Sequence, residues 1–428
     1  MQSKFLDKIN CWEDFKSYVE AMPNTKGMGD SFEQLTKLYF LINPIYQSKY
    51  QDVWLLDEVP TKDLEHLELP RQDLGIDLIA RSGSEYHAIQ CKYHSNKNSS
   101  VSNKEISTFT SLLANKKNLT HGYICSTALN TSRNFNKLEI QNISNILYDT
   151  WSNLDQKFFD NARKILEKKK PKEEPFIPKP HQKNAISLAH NHFVKENNSR
   201  GKLIFPCGSG KSLTGFWMME KLKANSTVVA VPSLSLVKQT LEVYLKQVVA
   251  KNKNVKWLCI CSDEGIGKSD DVVTYTRDLP VPCTTDPDYI KKWLKDNKND
   301  NIIIFTTYQS GRLIAEASKS LKFTFDLGVY DEAHKTVGKN ENLFSYLLFE
   351  ENISVKHRIF MTATERFYRG VRDDVLTMDD PDDYGDVFCH MSFKEAIEQN
   401  LLTDYKIITI EVKKEEIKSK EPKVEAKD

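Results

Sequence analysis

Long apolar runs are missing from these 428 residues: none approaches the roughly 18–20 positions of a membrane span. The start, Met1-Gln2-Ser3-Lys4-Phe5, lacks the apolar core of a signal peptide, so a cytoplasmic location and no membrane partner are expected. Metal-type cysteine spacing is absent as well. The eight cysteines are scattered without a C-x-x-C pair, which favours reduced thiols over a zinc module. Cys259 and Cys261 alternate within a strand-like run, while Cys91 and Cys207 stand inside motifs. No internal repeat is found, and net charge is only +1. Apolar content of 39% with 28% charged residues describes an ordinary globular protein with room for two or three domains.

The small net charge hides local bias. Between Cys91 and Lys137, Lys92, Lys97, Lys104, Lys116, Lys117, Arg133 and Lys137 face one acid, Glu105. Such a patch suits a nucleic-acid backbone, and a solvated surface is the plainer reading. Seven aspartates within 373–386 make a segment that should avoid DNA.

Texture divides the chain into three. Residues 1–165 mix helices with short strands. Residues 166–178 are charged and punctuated by proline, as a linker would be. From Lys179, strand-length apolar runs (Leu203–Phe205, Thr227–Val231, Ile302–Thr306, Phe325–Tyr330, Arg358–Thr362) alternate with helical patterns. That alternation predicts βαβ units and a buried parallel sheet, giving an α/β protein throughout. Residues 179–404 would form this unit. Lys406–Val412 reads as one further strand, and 413–428 is too polar to bury a core.

Two separated segments carry nucleotide chemistry. Gly208-Ser209-Gly210-Lys211-Ser212 follows a strand and opens a predicted helix, Ser212–Leu222. Its glycines let backbone N–H groups approach phosphates at a helix N-terminus. Lys211 would neutralise β/γ-phosphates and Ser212 would ligate Mg2+. Phe205 replaces the usual first glycine of such loops. Asp331-Glu332-Ala333-His334 ends another strand; Asp331 would hold magnesium through water and Glu332 would polarise the attacking water. Either segment alone is weak, but the pair in this order predicts an ATP site.

A second centre is expected near the N-terminus. Gly75–Arg81 and Tyr86–Tyr93 alternate around Gly83-Ser84, whose leading glycine favours a type II′ hairpin. Pairing Ser82 with Glu85 places Asp77 opposite Gln90, and Lys92 shares Gln90's face. Ile89, Cys91 and Tyr93 then turn to the other face. A carboxylate, an amide and an amine gathered at one spot suit metal-dependent phosphodiester cleavage. Asp77 and Gln90 would be metal ligands, Lys92 would stabilise developing charge, and Glu33, in a helical segment, would be the second carboxylate. The bland reading keeps Lys92 on a wet face and Asp77 as a turn residue.

These residues carry family resemblances. The segment from Pro178 to about Asp404 resembles the first RecA-like lobe of superfamily 2 helicases, a doubly wound parallel sheet. Pro180-His181-Gln182 is similar to the Q motif, which implies that Gln182 reads adenine. Pro232-Ser233-Leu234 and Thr306-Thr307-Tyr308-Gln309-Ser310 resemble loops that touch the nucleic-acid backbone, which implies Ser233, Thr307 and Gln309 as phosphate contacts. Thr362-Ala363-Thr364 is similar to the motif coupling hydrolysis to DNA binding, through Thr362 and Thr364. The D-x12-Q-x-K pattern resembles PD-(D/E)xK nucleases, particularly the Mrr-like type IV enzymes. Together the two halves resemble the front end of type ISP restriction enzymes. That resemblance implies an ATP- and Mg2+-dependent nuclease-translocase on double-stranded DNA, with methyltransferase and specificity domains outside this chain. No second-lobe arginine motif follows residue 404, so a fragment that binds nucleotide weakly and does not translocate alone is expected. The alternative is a helicase-like repair or mobile-element protein whose nuclease-like domain only binds DNA. His190-Asn191-His192 spells a nuclease-like string but is expected to be helix surface, and Lys168-Lys169-Lys170 to be solvated.

Overall fold

The computed structural model describes residues 6–71, 75–132, 142–263, 275–339, 343–368 and 375–404. The N-terminal half is built on five strands: β1 (Asp52–Leu55), β2 (Leu78–Ser82), β3 (Glu85–Lys92), β4 (Leu119–Ser126) and β5 (Ile143–Ile146), in that spatial order. β1, β2 and β3 pair antiparallel, and β3, β4 and β5 pair parallel.

Period-two alternation divides this sheet into two apolar faces. Leu78, Ala80, Ile89 and Cys91 face helix α1 (Thr25–Ile42) through Phe32 and Leu35. Ile79, Ala88 and Ile124 face helix α2 (Asn103–Asn115) through Ile106 and Phe109. α2 packs so close that a Cβ on Gly122 would stand 2.3 Å from the Leu113 side chain. Each large side chain so buried contributes on the order of 2 kcal/mol.

The hairpin has the register its turn dictates. Ser82 pairs with Glu85 and Leu78 with Ile89. Gly83 adopts φ +63°, while Ser84 does not enter positive φ, as a II′ turn requires.

The C-terminal half holds eight parallel strands: β6 (Arg200–Ile204), β7 (Ser226–Val231), β8 (Lys256–Ile260), β9 (Cys283–Thr284), β10 (Ile302–Thr307), β11 (Phe325–Asp331), β12 (Val355–Thr362) and β13 (Asp386–His390). Their order is β9-β8-β10-β7-β11-β12-β6-β13. Helices α3 (Pro180–His190), α4 (Lys211–Lys221) and α5 (Leu234–Ala250) cover one face. α6 (Pro287–Asp296) and α7 (Gly311–Ser320) cover the other. This is a doubly wound sheet, and because its strands are parallel their C-terminal ends share one edge. The expected strands within the described residues form. β9 and β13 are additions the apolar runs do not announce, and the expected strand Lys406–Val412 lies outside the described residues.

Residues 167–179 lack regular structure between a helix ending at Leu166 and α3. They are pinned rather than loose: Glu173 pairs with Lys157 at 2.8 Å, and Phe176 lies 4.6 Å under Lys246. The two halves also touch directly. Tyr46 Oη donates to the Pro280 carbonyl (2.9 Å), Ser144 Oγ to the Val281 carbonyl (2.9 Å), and Trp257 Nε1 to Ser48 Oγ (2.9 Å).

One expectation fails. His190-Asn191-His192 is not a solvated helix surface, because α3 gives way to a π-helical turn, Asn191–Lys195, that rolls His192 inward. His192 is 5% exposed, and its Nε2 lies 2.7 Å from the Arg200 carbonyl. Among the described residues no helix is long and apolar enough to cross a membrane.

Candidate active sites

The loop after β6 begins at Pro206, because Phe205 is buried against His181 at the strand end, with its N–H on the Thr362 carbonyl. That packing accounts for an aromatic residue where phosphate loops usually carry glycine. Gly208 and Gly210 take φ +81° and +88°. A Cβ on Gly210 would stand 2.6 Å from Gln182 Nε2. Ser209 is buried, its hydroxyl donating to the Pro206 carbonyl at 2.6 Å.

Gln182 is engaged at both ends of its amide. Its Oε1 accepts from the Lys179 N–H (2.9 Å), and its Nε2 donates to the Gly210 carbonyl (3.3 Å). It ties the loop to the start of α3. His181 joins it, 3.0 Å from the Ser209 carbonyl.

Lys211, Ser212, Asp331 and Glu332 meet at the sheet's C-terminal edge. Lys211 Nζ lies 3.4 Å from Glu332 Oε1, and Ser212 Oγ donates to Asp331 Oδ2 at 3.4 Å. Burial pushes the Asp331 carboxyl up to about 6, with Lys211 pulling the other way. Glu332 sits at left-handed φ +49°, which turns its side chain back toward the loop. Its other oxygen is 3.4 Å from His334 Nδ1, and that same nitrogen is 2.9 Å from Thr362 Oγ1. Thr362 in turn donates to the Thr364 carbonyl (2.8 Å). The nucleotide-type loop and the Thr362-Ala363-Thr364 segment are therefore wired together through His334. An all-oxygen donor pair with a buried carboxylate suits Mg2+.

The residues assigned to nucleic-acid contact also lie along this edge. Ser233 caps α5 by accepting from the Leu236 N–H. Thr307 is 5% exposed and bonds Ser310 Oγ at 3.1 Å, so its hydroxyl is turned into the protein. Gln309 is different: its Oε1 is buried without a hydrogen-bond partner among the described residues.

In the N-terminal half, Asp77 immediately precedes β2. Its N–H donates to the Ile89 carbonyl (2.9 Å), and its Oδ2 accepts from the Cys91 N–H (2.6 Å). Gln90 points to the α2 face, where a Cβ on Gly75 would lie 3.2 Å from its Nε2. Gln90 is buried, and its Oε1 has no hydrogen-bond partner among the described residues. A buried carbonyl left so costs about 1–3 kcal/mol, and a metal ligand has that character. Beside a carboxylate, the site fits Mg2+.

Lys92 shares Gln90's face and acts on Glu105, whose carboxyl is held down chiefly by hydrogen bonds from Ser102, with His94 and Lys92 adding to them against desolvation. His94 Nε2 lies 3.6 Å from Glu105 Oε1. Glu105 and His94 thus join Lys92, a grouping the sequence shows only as one acid among many bases. Glu33 is on α1, which packs on the opposite face of the sheet. Its neighbour one turn on, Thr36, reaches Cys91.

The basic cluster divides. Lys97 and Lys104 lie near the start of α2, whereas Lys116 and Lys117 follow its end, about 20 Å away by helical rise over 13 residues. Lys116 is spent on Glu68 at 3.1 Å. Arg133, Lys137 and part of the aspartate-rich segment lie outside the described residues.

Residues 41–171 match a restriction endonuclease family (Mrr_cat_2), and 175–367 match the res subunit of type III restriction enzymes (ResIII). Over 92% of its length the chain superposes on the type ISP restriction-modification enzyme LlaBIII bound to DNA, with a TM-score of 0.73 and 27% identity. It covers 26% of that enzyme. The probable helicase A859L of African swine fever virus (Malawi tick isolate) is 27% identical over 229 residues, which is 53% of this chain and 23% of the viral protein. A South African isolate's A859L is 28% identical over 228 residues. The chain spans about a quarter of the length of these relatives. It joins an Mrr-type restriction endonuclease domain to a ResIII helicase domain, in an arrangement like that of the type ISP enzymes. Glu33 falls before the matched endonuclease range.

Proposed function

We propose that this chain is the cleaving and ATP-driven part of a restriction enzyme that acts on double-stranded DNA. The observation that carries the reading is the continuous likeness to a DNA-bound type ISP enzyme across both domains. A nuclease domain and a helicase domain alone would fit many proteins; their joint placement narrows the choice.

At the first centre, Asp77 and Gln90 Oε1 would hold Mg2+, and Lys92 would neutralise charge building on the scissile phosphate. At the second, Ser212 and Asp331 would hold Mg2+ while Lys211 takes the β/γ-phosphates of ATP. A divalent cation supplies Lewis acidity and charge neutralisation at each. Lys211 now pairs with Glu332; phosphates that draw Lys211 away leave Glu332 available to orient water. His334 would relay that change to Thr362 and Thr364, the coupling segment. Ser233, Thr307 and Gln309 lie on the edge along which the duplex backbone would run, and Lys97, Lys104, Lys116 and Lys117 remain proposed contacts on the nuclease side. Methyltransferase and specificity domains would stand outside this chain.

A second reading, a helicase-like repair or mobile-element protein whose first domain only binds DNA, draws on the likeness to A859L. Plasmid cleavage by the full chain with Mg2+, compared between the parent protein and Lys92→Ala, separates them. The restriction reading expects cleavage that Lys92→Ala abolishes. Retarded but uncut DNA with both proteins supports the second.

A further inference from the structure

Three cysteines that are scattered in sequence meet in space away from both centres. β8 carries Cys259 and leads into Cys261, and Cys283 lies on the adjoining edge strand β9, directly paired with Cys259. Cys259 Sγ is 3.6 Å from Cys261 Sγ and 3.4 Å from Cys283 Sγ, and all three sulfurs lie within 4.8 Å of one another. Ligands at about 2.3 Å from a tetrahedral zinc ion are roughly 3.8 Å apart, so this spacing matches a three-thiolate face. We propose that Cys259, Cys261 and Cys283 form a zinc site that braces the joint between the two domains.

The surroundings support a cation there. Three thiolates around a divalent ion leave one negative charge. The Lys49 side chain, packed 4.6 Å over the Trp257 ring, borders the same cavity as Cys261 and Cys283. A cavity of about 880 Å³ adjoins the cluster, bordered by Cys261, Cys283, His121 and Asp263. A fourth ligand, such as water, would reach the ion from that cavity.

The location gives the site its consequence. Cys283 follows Pro280 and Val281 by two or three residues, and their carbonyls accept from Tyr46 and Ser144 of the nuclease domain. Fixing Cys283 to β8 fixes the segment the nuclease domain grips. Cys-x-Cys within a strand plus one distant cysteine has no recognisable zinc spacing, which is why the sequence conceals it. Ion binding releases the thiol protons to buffer, so affinity rises with pH.

The test uses the full chain, reduced and stripped by chelator, then titrated with Co2+ and with Zn2+. One equivalent of Co2+ should produce a thiolate-to-cobalt charge-transfer band that Zn2+ abolishes, and Zn2+ should raise the melting temperature. Cys283→Ser, at the half-exposed sheet edge, should weaken binding on the order of 100-fold or more by removing a primary ligand. Cys11→Ser should leave it intact. Absence of the band from a folded parent protein, or its persistence in both Cys283→Ser and Cys261→Ser, would overturn the proposal.

Discussion

Lys211 Nζ stands 3.4 Å from Glu332 Oε1, so the cation expected to meet phosphate and the carboxylate expected to orient water hold each other. The pair is largely shielded from solvent, the Lys211 side chain 7% and the Glu332 side chain 21% exposed, which makes it a competitor for incoming phosphate. Lys211→Ala should weaken ATP binding by ten- to a hundredfold, about 1.5–3 kcal/mol for a charge-assisted contact. Glu332→Gln should leave binding equal or tighter, because it removes the competitor. Calorimetry on the two variants checks both directions.

Asp331 supplies a pH dependence. Its carboxyl is raised to about 6 by burial, and ligation needs the charged form. Affinity for magnesium-nucleotide should therefore be full above pH 7 and decline as pH falls through 6. Asp331→Asn should be uniformly weak and lose this inflection. Binding isotherms between pH 5 and 8 provide the measurement.

Gln90 separates stability from function. Its Oε1 is buried without a hydrogen-bond partner among the described residues, so Gln90→Leu removes an unsatisfied carbonyl and should not lower the melting temperature. The same variant should lose Mg2+ binding at the nuclease site, while Gln90→Glu keeps or strengthens it. A core-packing role alone predicts no change in metal affinity.

His121 makes the domain joint acid-sensitive. Burial lowers its pKa to about 3, and it lies 3.0 Å from Ser144 Oγ, which donates to Val281 across the interface. Because the folded value is depressed, the unfolded chain binds the proton first. Stability should fall as pH drops below about 6.5, at roughly 1.4 kcal/mol per pH unit for the single group. His121→Gln should reduce this slope in melts taken from pH 7.5 to 5, with the neighbouring buried His87, also held well below its ordinary value by burial, supplying the remainder.

Much of this was legible in local chemistry. Gly83-Ser84 dictates the turn, and the turn dictates which residue faces Gln90. Apolar runs announce β7, β10 and β11 because strands buried on both faces need no alternation. β13 escaped, since Asp386 and His390 sit at an exposed edge where composition is unconstrained. Long-range effects were also out of reach. The clamp of Gln182 on Gly210 and the inward roll of His192 depend on partners fixed only by the fold. Likewise, sequence proximity merged lysines that α2 holds about 20 Å apart.

Cleavage of supercoiled DNA by the full chain, with Mg2+ and with or without the Lys92→Ala substitution, tests the two-centre architecture most directly. ATP binding is followed in the same samples. Lys92→Ala should abolish cutting while ATP binding stays unchanged. Cutting at the parental rate by Lys92→Ala would contradict it.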